Sequence, residues 1–83
     1  MYFLYILQST LDKSFYIGST SSIEQRLKKH NSGGSKYTKS RKPWEVVYKE
    51  EYNSLSEARK RETYLKSLKS RKAIEKLING PIV

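Results

Sequence analysis

The run Tyr2-Phe3-Leu4-Tyr5-Ile6-Leu7 is the longest uninterrupted apolar stretch in the chain, and it constrains most of what the rest can become. An extended backbone points successive side chains to opposite faces, so six apolar or aromatic residues in a row leave neither face to water. The run predicts a central strand covered by helices on both sides. It is far short of the roughly 20 residues needed to cross a bilayer, and no charged leader with a cleavage site precedes it. Neither membrane spanning nor secretion is expected.

With 83 residues there is room for one core, so residues 1–83 are read as a single domain. A composition of 36% hydrophobic and 30% charged residues, with two prolines and four glycines, excludes the disordered and collagen-like classes. The absence of cysteine excludes disulfides, thiolate metal sites and cysteine nucleophiles, and it fits a reducing cytoplasm.

After a polar turn over Ser9 to Ser14, Phe15-Tyr16-Ile17-Gly18 reads as a second strand, close enough in sequence to pair with the first as an antiparallel hairpin. Ser21-Ser22-Ile23-Glu24 fits a capping box, with Ser21 as N-cap of a helix running to His30 or Asn31 and stopped by Asn31-Ser32-Gly33-Gly34-Ser35. Pro43 precedes a third strand from Trp44 to Tyr52, with Val46 and Val47 on opposite faces. A second capping box, Ser54 with Glu57, opens a helix carrying Leu55, Ala58, Leu65 and Leu68 at helical spacing. A last helix follows Ser70, with Ile74, Leu77 and Ile78 apolar, and Gly80-Pro81 as its stop. The order is ββαβαα. Gly33-Gly34 reads as a helix cap and turn, because no lysine and serine follow at P-loop spacing.

Charge gives the first indication of function. Lys and Arg number 17 against 8 Asp and Glu, a net +9 with an isoelectric point near 9.9. Such a balance points to a polyanion, nucleic acid before an anionic membrane surface, because phosphate neutralisation with counterion release dominates binding by basic proteins; a charge that merely keeps the protein soluble is the plainer alternative. Seven of these cations, Arg26, Lys28, Lys29, Lys36, Lys39, Arg41 and Lys42, fall between Gln25 and Trp44 with no acid among them.

Three sets of residues sit where packing alone does not put them. On a helical wheel Ile23 and Leu27 form the core stripe of the first helix, and Arg26 and His30, four apart, share one flank of it. On the next long helix Glu62 falls between Leu55 on one side and Ala58 and Leu65 on the other. A carboxylate there needs a cation, which an internal arginine such as Arg26 or a metal in a partly open site would supply. Tyr5 and Tyr16 lie on the two paired strands next to the first helix; taken singly, strand tyrosines are ordinary packing residues with a wet hydroxyl.

In order, the set is Tyr5, then Tyr16-Ile17-Gly18, Arg26 ten residues after Tyr16, His30 four further on, and Glu62 on a later helix. This pattern resembles the GIY-YIG nuclease family, over nearly the whole chain. It looks closest to small stand-alone bacterial members, which share the look of Tyr5-Ile6-Leu7, His30-Asn31-Ser32-Gly33, Tyr37-Thr38, Pro43-Trp44 and Ser56-Glu57-Ala58. The resemblance implies an α+β fold, a three-stranded antiparallel sheet flanked by helices, with the site on one sheet face between the tyrosines, the first helix and the glutamate helix.

It further implies a metal-dependent endonuclease that hydrolyses DNA phosphodiester bonds with low intrinsic sequence specificity, using one Mg²⁺ or Mn²⁺. Carried over position by position, Glu62 would hold the metal, Arg26 would neutralise the scissile phosphate, and Tyr16 would activate or orient water with Tyr5 in support. His30 stands at a position that is His in some members and Tyr in others. A tyrosine with an ordinary pKa of about 10 needs help to act as a base near neutrality, and His30, at about 6.5, competes for that role. Lys28, Lys29, Lys36, Lys39, Arg41 and Lys42 are the candidates for steering nucleic acid. The expected partner is DNA, branched or damaged forms included, with RNA left open and a partner protein as a source of specificity. The alternative is a catalytically weak or silent nucleic-acid-binding module of the same fold. Two departures stand out: Phe3-Leu4-Tyr5 keeps the tyrosine of the first family triplet but lacks its glycine, and the only asparagine after Glu62 is Asn79.

Overall fold

The computed structural model describes residues 1–34 and 36–80, with every side chain among them except that of Tyr37. Ser35 and Pro81, which belong to the two expected helix stops, lie outside the described residues, as does the Tyr37 side chain that contributes to the family likeness. Three strands, β1 (Tyr2–Ser9), β2 (Phe15–Thr20) and β3 (Trp44–Tyr52), form one antiparallel sheet in the order β2-β1-β3. The apolar run is thus the central strand, with Leu4, Ile6 and Leu7 fully buried and Tyr5 1% exposed.

Alternation along β1 creates two cores. Leu4 and Ile6 face one side, where they pack with Leu65 of α3 (Leu55–Ser67) and Ile74 of α4 (Arg71–Asn79). Tyr5 and Leu7 face the other, with Trp44, Tyr16, Val46 and the stripe Ile23 and Leu27 of α1 (Ile23–Asn31). Val46 and Val47 fall in opposite cores, as the strand period requires. Between Ile6 and Leu7 the β1–β3 register slips: Ile6 pairs with Tyr48 and Leu7 with Val46. Val47 is the extra residue of this bulge, and beyond it Tyr48, Glu50 and Tyr52 all take the α3 side.

The first helix is capped one residue later than its capping box suggests. Ser22, not Ser21, accepts from the Gln25 N–H at 3.4 Å. The reason lies in β2, which does not stop at Gly18: Ser19 and Thr20 go on to pair with Leu4 and Phe3. The Thr20 hydroxyl then accepts from the Ser22 N–H at 3.1 Å, holding Ser22 extended as an N-cap must be. Ser54 and Ser70 cap α3 and α4 where expected, accepting from Glu57 N and Ala73 N. Gly33, at φ +86°, turns the chain out of α1, and Gly80 caps α4.

The expected loop between α1 and β3 contains one further helical turn, α2 (Lys36–Lys39). Its buried Thr38 offers a carbonyl to the Trp44 indole N–H at 2.9 Å. Asn31 brackets the Trp44 backbone, accepting from its N–H at 2.6 Å and donating to its carbonyl at 3.1 Å. These bonds fasten the end of α1 to the start of β3 and so fix the helix that carries Arg26 and His30. Among the described residues no helix is long and apolar enough to cross a membrane.

Candidate active site

Tyr5 and Gly18 are cross-strand partners on β1 and β2, and the tyrosine ring lies directly over the glycine. A Cβ on residue 18 would stand 2.6 Å from the Tyr5 Oη and 2.7 Å from its Cζ, closer than any side chain tolerates. Gly18 is therefore what lets the buried Tyr5 ring reach across the edge strand. The Tyr5 hydroxyl shares a hydrogen bond with His30 Nε2 at 3.3 Å, and the Tyr16 ring packs on the imidazole with centroids 4.5 Å apart. The other imidazole nitrogen, Nδ1, has no partner among the described residues.

Glu62 reaches the same edge from the opposite face. Tyr16 and Gly18 point to the α1 side of β2, whereas Ser19 points to the α3 side, and its hydroxyl donates to Glu62 Oε1 at 2.6 Å. Lys66, one turn further along α3, donates to Oε2 at 2.6 Å. Tyr5, Tyr16, Gly18, Ser19, Arg26, Arg59 and Glu62 together line a polar cleft of about 210 Å³. The cleft wraps the β2 edge, with residues from both sides of the sheet, and does not lie on one sheet face as the resemblance implies. The internal pair weighed for Glu62 is also corrected: its cation is Lys66, and neither Arg26 nor Arg59 has an ion-pair partner among the described residues.

Burial, reinforced by the neighbouring Tyr16 and Glu62 and opposed by Arg26, pushes the Tyr5 hydroxyl up to about 12. It stays protonated near neutrality, able to donate a hydrogen bond but not to take a proton. His30 is 3% exposed, and burial, with Arg26 and Lys29 adding to it, holds its imidazole below the usual 6.5. It is a neutral ring under Tyr5 and Tyr16. The cleft thus offers one carboxylate, two guanidinium groups and two phenols, a set suited to holding a phosphodiester and stabilising the charge that builds on it.

No group of three His, Asp or Glu side chains able to hold a metal occurs among the described residues. One half-buried carboxylate in an open polar cleft nevertheless suits a hard divalent cation, which keeps several waters and takes its remaining oxygens from substrate phosphate. Glu62, at 21% side-chain exposure, has that placement. The residues present fit such an ion.

Of the sequence-derived set, Tyr5, Tyr16, Arg26 and Glu62 converge on the cleft, while His30 lies beneath it. Lys28, Lys29, Lys36, Lys39 and Lys42 are exposed. Arg41 is half-buried and paired with Asp12 at 3.3 Å, so its charge is partly engaged within the fold. Sequence reasoning missed Ser19 and Arg59. Ser19 had a usable signal, since it directly follows Gly18 and alternation turns it toward the glutamate helix. Arg59 had one as well, lying three residues before Glu62 and thus one turn away on the same side of α3.

The fold agrees with the comparisons. A family model described as the GIY-YIG catalytic domain matches residues 1–76. A UPF0213 protein of Syntrophus aciditrophicus is 42% identical over 81 residues, spanning 95% of this chain and 92% of the relative. A UPF0213 protein of Staphylococcus saprophyticus is 40% identical over 80 residues, spanning 95% and 96%. The solution NMR structure of the UPF0213 protein BH0048 from Bacillus halodurans superimposes with a TM-score of 0.60 at 40% identity, covering 95% of this chain and 84% of that one.

Proposed function

We propose, since this chain belongs to the GIY-YIG catalytic domain family, that it is a divalent-metal-dependent endonuclease hydrolysing DNA phosphodiester bonds with low intrinsic sequence specificity. The observation that carries this reading is the meeting of Tyr5, Tyr16, Arg26 and Glu62, from four different elements, in one polar cleft. Glu62 would hold one Mg²⁺ or Mn²⁺, which when bound supplies positive charge to the phosphoryl oxygens. Arg26 neutralises a non-bridging oxygen of the scissile phosphate. Tyr16 is the phenol placed to orient the attacking water. Tyr5, held protonated, fixes the neutral His30 ring on which Tyr16 packs, so both act as positioning residues.

The substrate side follows from size and charge. A module of 83 residues at net +9 has little surface for reading base edges beyond what the phosphate backbone occupies. Exposed Lys28, Lys29, Lys36, Lys39 and Lys42 would steer the backbone toward the cleft, with Arg41 contributing less because of Asp12. Selectivity for branched or damaged DNA, or for RNA, would come from substrate shape or from a partner protein.

The test is cleavage of supercoiled, linear and branched DNA by purified protein with Mg²⁺, Mn²⁺ or chelator, beside folded Glu62→Ala and Arg26→Ala variants. Metal-dependent cleavage that falls at least about 100-fold in each variant is expected. Absence of cleavage by folded wild type with either metal would overturn the proposal. A second reading, a nucleic-acid-binding module without catalysis, is favoured by one observation: both Glu62 oxygens are already engaged, by Ser19 and Lys66. Under that reading binding survives chelator and Glu62→Ala unchanged.

A further inference from the structure

A depression of about 480 Å³, more than twice the volume of the cleft, runs along the outer face of α3 and is lined by Leu55, Ser56, Arg59, Lys60 and Thr63. Ser56, Arg59, Lys60 and Thr63 occupy positions i, i+3, i+4 and i+7, one face of the helix. Arg59 lines both this groove and the cleft, so the two adjoin at its side chain.

The cations of α3 divide into two kinds. Arg61 is committed to Glu50 and Lys66 to Glu62. Arg59 and Lys60, both exposed, have neither a hydrogen bond nor an ion pair among the described residues. Glu57, the acid of the first turn, is bonded to Ser54 at the helix start. Two uncommitted cations and two hydroxyls therefore face one groove over a partly apolar floor at Leu55.

We infer that this groove is a second phosphate-binding subsite for a nucleic-acid strand whose neighbouring phosphate occupies the cleft. The inference rests on the nucleic-acid reading of the cleft proposed above. Arg59 stands at the junction and bridges successive phosphates, Lys60 and the Ser56 and Thr63 hydroxyls take the next one, and Leu55 lies against the sugar. A strand, unlike a single free anion, could occupy both depressions at once. The guanidinium is the group suited to the junction, since its fixed fork of donors can serve two anions at once.

The test is the salt dependence of binding to a short labelled DNA duplex, in chelator so that nothing is cut. Wild type is compared with Arg59→Gln, Lys60→Gln, the double variant and a control, Lys72→Gln, at an exposed cation on α4. Glutamine is a good helix former, and circular dichroism checks that α3 is retained. Each lost phosphate contact lowers the log-log salt slope by about 1, so slopes about 1 and about 2 units shallower are expected for the single and double variants, with roughly tenfold weaker binding for Arg59→Gln. The control should leave the slope unchanged.

A wild-type slope in the double variant, or an equal loss in the control, overturns the subsite while leaving the cleft intact. A wild type that binds no nucleic acid at all overturns both. Binding to anionic vesicles that depends on Arg59 and Lys60, beside duplex binding that does not, would assign the groove to a membrane and overturn it as well.

Discussion

Two glutamates join α3 to opposite edges of the sheet and are buried to nearly the same degree: Glu50, on edge strand β3, is 19% exposed, and Glu62, on α3 against edge strand β2, is 21% exposed. Glu50 accepts from the hydroxyls of Tyr48 and Tyr52 and from Nε and Nη2 of Arg61, at 3.0 and 3.2 Å. Burial alone would raise its carboxyl, but these hydrogen bonds outweigh it and leave the group below the usual 4.5. Glu62 has two partners, Ser19 and an exposed lysine, and opens onto a cleft holding two guanidiniums that no acid claims. Arg61 and Glu62 are adjacent, on either flank of the Ala58 and Leu65 stripe, and they tie α3 to β3 and β2 respectively. Equal burial therefore does not mean equal purpose. Glu50 is held by four donors from three residues of the fold, whereas Glu62 is held by one hydroxyl and one exposed lysine, which a cation entering the open cleft would have to displace.

The largest expected effects come from exchanging each glutamate for glutamine. Glu62→Gln keeps the acceptor for Ser19, so stability should change by less than about 1 kcal/mol while cleavage falls at least about 100-fold. Glu50→Gln strands the Arg61 guanidinium against a neutral amide and should cost about 2 kcal/mol, with cleavage per folded molecule within about threefold of wild type. Urea denaturation and a nicking assay on the same preparations separate the two. Interchanged signatures would mean that Glu50 serves cleavage and Glu62 serves only the fold.

The approach of Tyr5 to Gly18 tests the same contrast from the β2 side. In Gly18→Ala the new Cβ meets the Tyr5 Oη at 2.6 Å, so the buried Tyr5 ring must shift and strain its hydrogen bond to His30. Overpacking of this kind costs about 1–3 kcal/mol. Tyr5→Leu in the same background removes the contacted atoms Oη, Cζ and Cε1, so the double variant should be more stable than the sum of the single losses predicts. Strict additivity would mean that the close approach contributes nothing.

A smaller effect separates the two regions by pH. The folded-state pKa of His30 lies below 6.5, chiefly through burial. The unfolded chain therefore binds more protons just below that pH, and stability present above 6.5 is lost as the pH falls toward the folded value. The Glu50 contribution is lost only in the lower window, below its unfolded value of 4.5. Thermal melts between neutral pH and about pH 5 should show a slope in wild type that His30→Gln flattens and Glu50→Gln does not.

How much of this was legible differs between the two edges, for physical reasons. The central strand followed from Tyr2–Leu7 because a two-faced apolar run has few other uses, and the caps at Ser54 and Ser70 had no local rival. At α1, Ser21 with Glu24 and Ser22 with Gln25 both suit a box, and the choice fell to a tertiary fact, the extension of β2 through Thr20. Glu62 stood out because a helical wheel exposes a charge on the core side. Glu50 did not, because strand parity counted from Trp44 misplaces it until the bulge at Val47 shifts the alternation by one. The Arg26–Glu62 alternative failed for a related reason: α1 and α3 cover opposite faces, and Lys66, one turn from Glu62, was nearer than any residue of α1.

Lys66 carries the smallest prediction, and it bears directly on why the two glutamates differ. The Lys66–Glu62 contact is an i,i+4 pair whose lysine is 53% exposed, a class that stabilises a helix by only about 0.3–0.5 kcal/mol. Lys66→Met should therefore barely move the urea midpoint. Its effect on Glu62 is larger than its effect on the fold, because the ammonium occupies Oε2, one of only two oxygens the carboxylate has to offer. A cation that must displace Lys66 competes with it, so the Mg²⁺ concentration giving half-maximal cleavage should fall in Lys66→Met, and more so at low salt, where the lysine holds most strongly. Arg61→Met makes the contrast, since it releases Glu50 and should lower stability without changing that Mg²⁺ midpoint. Equal midpoints in Lys66→Met and wild type would mean that Lys66 does not compete for Glu62, and the distinction between the two glutamates would then rest on the cleft alone.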